Sequence, residues 1–125
     1  MRKWAVMIAI PMLPAAADEL DHFIGEWRGE STCVAKNTSC HDETVVYKIM
    51  KLAGKSGYVS VSADKIVNGS AINMGTLEFR YDRDSLICEY SQGIWRLKLE
   101  RGKIEGTLIR RDGTIFRRIT LRKEP

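Results

Sequence analysis

Histidine is nearly missing from this chain, and so are the local patterns that most catalytic chemistry needs. There are two, His22 and His41. His41 sits between Cys40 and Asp42, and neighbours on an extended segment point apart, so no nucleophile–base pair forms locally. The sequence has no glycine-rich phosphate loop, no Gly-x-Ser-x-Gly elbow and no paired carboxylates on an inward face, so it is not read as an enzyme. No cofactor is indicated. After residue 17 there is no long apolar run and no apolar repeat of helical period, which leaves a chain without a membrane span and points to an all-β protein.

What the first residues do carry is a leader. Arg2 and Lys3 precede an apolar run over residues 4–13, about half the length that crosses a bilayer. Ala15, Ala16 and Ala17 then supply the small residues that a signal peptidase reads, with cleavage before Asp18. Residues 1–17 are therefore assigned as a signal peptide and residues 18–125 as one domain, exported to the periplasm or secreted. A buried N-terminal helix is the alternative for the same run. No cysteine follows the cleavage site, so no lipid anchor is indicated there.

Export changes the meaning of charge and of cysteine. Losing Arg2 and Lys3 takes the 20 basic residues to 18, against 16 acidic. The balance is uneven: residues 18–43 are mainly acidic and residues 96–123 mainly basic. A basic C-terminal stretch can mark nucleic acid, but export argues against that partner. Pairing of the last strand with the first, setting Arg118 and Arg122 beside Glu26 and Glu30, is preferred. Cys33 and Cys40 bound a short polar loop and form a local disulfide in an oxidising compartment. A metal site with His41 is the less favoured use of the same residues, and no metal is assigned. Cys88 is left over as a small buried hydrophobe, with a bond to Cys33 or a ligand contact as the alternatives.

Eight strands follow from alternation and turn chemistry. The first, over residues 23–33, puts Gly25, Trp27, Gly29, Ser31 and Cys33 on one face and mostly charged residues on the other. Further runs cover residues 43–52, 58–67, 72–81, 86–90, 95–100, 104–108 and 114–122. Asn68-Gly69 and Asp112-Gly113 are strong hairpin signals. A flat meander of eight strands would leave two raw edges and an uncovered apolar face, so closure into an antiparallel up-and-down barrel is expected, with a sandwich as the other closure. On the last strand Ile115, Arg117, Ile119 and Leu121 share a face. Arg117 is expected to lie against Trp27, since a buried guanidinium needs partners and an indole face offers a cation–π contact. A slip, or a bulge at Asp112-Gly113, that turns Arg117 outward and Phe116 and Arg118 inward is the alternative.

At Gly25-Glu26-Trp27 and Arg117 the chain resembles the calycin superfamily, the lipocalins and their small bacterial relatives. Gly25 and Trp27 resemble the Gly-x-Trp of that group's first strand, and Arg117 resembles its late basic partner. The resemblance implies an eight-stranded lipocalin-like barrel in which Gly25, Trp27 and Arg117 close one end. The chain departs from it in lacking the length for a helix after the barrel and the helical pair of the fatty-acid-binding relatives. Among small exported bacterial barrels some inhibit proteases or lysozyme, but no inhibitor segment is evident.

Function then turns on what the barrel holds. A small hydrophobic ligand is expected in an interior pocket lined by Phe79, Tyr81, Cys88, Tyr90, Trp95 and Leu97. The alternative is a filled barrel whose loops, at residues 34–39 or 53–57, meet a protein partner such as a hydrolase.

Overall fold

A computed structural model describes residues 19–35 and 39–125 of the chain. The expected signal peptide lies outside the described residues, as does part of the loop between the two cysteines. A short 3₁₀ helix, Asp21–Phe23, leads into eight strands: β1 Gly25–Cys33, β2 Glu43–Lys51, β3 Tyr58–Val67, β4 Ser70–Asp82, β5 Ser85–Tyr90, β6 Gly93–Glu100, β7 Lys103–Arg110 and β8 Ile115–Lys123. Each strand pairs antiparallel with the next, and β8 pairs antiparallel with β1, so the sheet closes on itself as an all-β barrel. Asn68 and Gly69 both take positive φ, as the tight turn between β3 and β4 requires. Among the described residues no helix is long and apolar enough to cross a membrane.

The two ends of the barrel are built differently. At the end covered by the 3₁₀ helix, Leu20 and Phe23 are buried against Trp27, Ile49 and Leu121. Trp27 is 1% exposed, and its indole N–H donates to the Phe23 carbonyl at 2.8 Å. Removing that ring from water is worth roughly 4–6 kcal/mol. Tyr81 meets Phe23 edge-on with centroids 6.1 Å apart, and its hydroxyl donates to Glu19 at 2.7 Å. This end is solid.

The partner of the indole is not the expected one. In the β1/β8 register Trp27 lies opposite Lys123, whereas Arg117 lies opposite Cys33 at the other end of the pair. Lys123 holds its ammonium 5.5 Å from the Trp27 ring centroid. Its stem passes over Gly25, where a Cβ would come within 2.7 Å of Lys123 Cε. The first strand's glycine thus makes room for the cation that covers its tryptophan. The same register sets Arg122 opposite Arg28 and Arg118 opposite Thr32, so Glu30, opposite Thr120, lies diagonally between the two arginines and not directly across from either.

Two bulges shape the other end. Between β3 and β4, Ala63 pairs with Gly75 and Asp64 with Asn73, which leaves Met74 as an extra residue. The Asn73 amide pins this bulge: it donates to Ser62 Oγ, Ala63 O and Asp64 Oδ1, and its oxygen accepts the Gly75 N–H. Between β7 and β8, Leu108 pairs with Arg117 and Ile109 with Ile115, leaving Phe116 extra. Arg117 stays inward while Phe116 also turns to the barrel mouth beside Leu108.

The seam between β4 and β5 is the shortest, with three pairs from Arg80–Ile87 to Asp82–Ser85. Extending that register would bring Leu77 opposite Tyr90, where β5 ends. Residues 70–76 therefore run past β5 with no strand on that side among the described residues.

Candidate functional site

A cavity of about 480 Å³ occupies the half of the barrel away from the 3₁₀ helix. Its apolar wall comes from Val61 and Ala63 on β3, Leu77 and Phe79 on β4, and Trp95 on β6. Space exists here because the inward positions at this level are small (Ser31, Ala63, Gly75) and because β4 leaves β5 early. Other small residues do not contribute. A Cβ at Gly29 would run into the Thr120 carbonyl oxygen, and one at Gly106 would meet Leu97 Cδ2 at 2.7 Å. Those two glycines answer close strand approach rather than ligand space.

Three of the six expected pocket residues line the cavity: Phe79, Tyr90 and Trp95. The others lie elsewhere. Tyr81 belongs to the solid end with Phe23 and Glu19. Leu97 is fully buried core. Cys88 is buried opposite Trp95 but is not part of the cavity wall. Alternation identifies which side chains point inward, but an inward side chain can sit at any height along the barrel.

The polar part of the lining centres on Arg117, at the end of the β1/β8 pair opposite to its expected place beside Trp27. Its guanidinium donates to Ser31 O at 3.2 Å, Ser31 Oγ at 2.9 Å and the His41 carbonyl at 2.8 Å. The Glu43 carboxylate lies 3.8 Å away, with side-chain exposures of 13% for Arg117 and 22% for Glu43. A mostly buried cation is tolerable when its donors are used and a countercharge is near. The Tyr47 hydroxyl beside this pair is held well above the usual phenol range, chiefly by burial, with Arg117 opposing and Glu43 adding to the shift. Tyr90 is also raised, first by burial and further by Cys88, against a hydrogen bond from Trp95. At neutral pH the cavity therefore presents neutral hydroxyls, an apolar wall and one compensated ion pair.

The Cys33–Cys40 disulfide stands at the rim, with Cα atoms 6.1 Å apart, and Cys88 is the free thiol. Closing so short a loop is worth about 2 kcal/mol in chain entropy. The Cys33 N–H donates to Asp42 Oδ1 at 2.8 Å, which ties the strand after the loop to the end of β1. Burial, and secondarily Glu89, pushes the Cys88 thiol up, so it is a poor nucleophile. Among the described residues no cluster of three His, Cys, Asp or Glu side chains could hold a metal ion.

No protein-family model matches the chain, and no curated protein matches it. The closed barrel of eight antiparallel strands is compatible with the calycin architecture that the sequence resembles.

Proposed function

We propose that this protein is an exported, calycin-like binding barrel, not an enzyme, that takes a small, mainly apolar molecule into its interior. The cavity carries this reading. Its volume of about 480 Å³ lies in the range of small-molecule sites, and an apolar wall with a few converging polar groups is how such sites combine affinity with orientation. The disulfide supports export to an oxidising compartment. The test is titration of the purified chain with the uncharged fluorophore N-phenylnaphthylamine. Saturable binding with about one site and quenching of Trp95 emission, both lost in Ala63→Trp, is the expected result. Absence of saturable binding defeats the proposal.

A second reading, a barrel that meets a protein partner, draws on β4. Among the described residues no strand pairs with 70–76 on the side facing β5, and Ile72 and Met74 are exposed there. Strand addition is the usual way such edges are used. Sedimentation of the pure chain alone and with candidate hydrolases separates this reading from ligand uptake.

A further inference from the structure

The mouth of the barrel holds a second concavity, of about 500 Å³, which shares Tyr90 with the interior cavity. Leu108 and Phe116 form its apolar floor, and Arg110 and Arg111 stand on its wall. Phe116 reaches this place because of the bulge in β8, which turns it in beside Arg117. Its ring is flanked by two guanidiniums, with Arg110 Cζ at 4.1 Å and Arg117 Cζ at 5.8 Å from the centroid.

The three arginines are not equally occupied. Arg117 spends its donors on Ser31 and His41. Arg111 uses Nε on the Ser91 carbonyl at 2.6 Å, and among the described residues its terminal nitrogens meet no other acceptor. Arg110 rests on Phe116, and among the described residues neither Arg110 nor Arg111 has a carboxylate within ion-pair distance. The carboxylate in the cleft, Asp112, accepts from Thr114 N at 3.0 Å and Thr114 Oγ at 2.6 Å and feels the charge of Arg110, but it makes no ion-pair contact with that guanidinium among the described residues. A planar fork held over a ring, next to a second fork with free donors, is an arrangement suited to an oxyanion.

We infer that the mouth cleft receives the anionic group of the ligand, so that the molecule bound is an amphipathic organic anion: an apolar body in the interior cavity, carrying a carboxylate, sulfonate or phosphate that reaches Arg110 and Arg111. This rests on the proposed binding function, since the apolar body needs the cavity. Tyr90 stands where the two spaces meet, so one extended molecule would pass it with its polar end outward.

Two probes with the same aromatic body separate this inference from the reading beneath it. N-phenylnaphthylamine is uncharged, and anilinonaphthalene sulfonate carries the anion. At low salt the sulfonate is expected to bind about tenfold more tightly, an advantage that shrinks as salt screens the exposed guanidiniums. Arg110→Gln combined with Arg111→Gln is expected to cost the sulfonate about tenfold and the uncharged probe less than about twofold. The variant with lysine at both positions should keep most of the preference. Equal affinities of the two probes, unchanged in the glutamine variant, overturn the inference while leaving the apolar cavity in place. If neither probe binds, the cavity reading fails first and this one falls with it.

Discussion

The two ends of this barrel use the same inward-facing alternation and arrive at opposite results. At the end under the 3₁₀ helix, large side chains meet at one level: Phe23, Trp27, Ile49 and Leu121 fill the cross-section, and Lys123 covers the indole. At the other end the inward positions fall to serine, alanine and glycine, two bulges add a residue each, and a space of about 480 Å³ remains. Side-chain volume at a given height, not the number of strands, decides whether an eight-stranded barrel is packed or hollow. Each end also places basic side chains near an aromatic ring, Lys123 at Trp27 and both Arg110 and Arg117 at Phe116. At the solid end the cation, Lys123, sits at the end of β8 and is exposed. At the hollow end Arg117 sits inside and depends on Ser31, His41 and Glu43.

That contrast can be broken at several points. Trp27→Ala removes the largest buried side chain of the solid end and is expected to cost about 3–5 kcal/mol in denaturant unfolding, with little change in cavity binding wherever the variant is folded. A comparable loss of binding at full stability would mean the two ends are not separate. Arg117→Met is expected to cost about 1–3 kcal/mol, because the carbonyls of Ser31 and His41 lose a charged donor. It should also shift the affinity of an interior probe, which Trp27→Ala should not. At the small end of the scale, Lys123→Met should cost no more than about 1 kcal/mol, as an exposed cation–π contact does.

Much of this architecture was legible in the residues, and the parts that were not share a cause. Most strands show in their alternation, β2 being the exception because Val46 and Met50 are apolar on the other phase, and Asn68-Gly69 announces its hairpin. Hairpin registers are fixed by their turns. The β1/β8 pairing has no turn, being the closure of the ring, so nothing local sets its register, and Arg117 faces Cys33 where alternation alone suggests Trp27. The bulge at Met74 leaves no mark in the sequence, since an extra residue keeps the pattern on either side intact, whereas the one at Phe116 corresponds in part to the alternative that turns Phe116 inward, with the difference that Arg117 stays inward too. The cavity was half visible. Phe79, Tyr90 and Trp95 were legible as inward, but only coordinates separate their height from that of Tyr81 and Leu97.

A pH series sharpens the contrast with the smallest expected effect. Tyr81, at the solid end, is pushed up to about 12, first by burial and then by its bond to Glu19. The folded protein therefore keeps this proton after an unfolded tyrosine, with its ordinary value of 10.0, has lost it. Stability is expected to be unaffected by this group below about pH 10 and to fall as the pH climbs from there towards about 12. Tyr47, at the cavity, is shifted in the same direction. Unfolding curves across that window should flatten in Tyr81→Phe and in Tyr47→Phe, and an unchanged slope in both would remove burial as the cause.

The most direct measurement follows the two indole N–H resonances of Trp27 and Trp95 by NMR during titration with N-phenylnaphthylamine. A saturable shift of Trp95, with Trp27 unmoved, is the predicted result. Equal movement of both, movement of Trp27 alone, or no saturable shift would contradict a barrel that is hollow at one end and solid at the other.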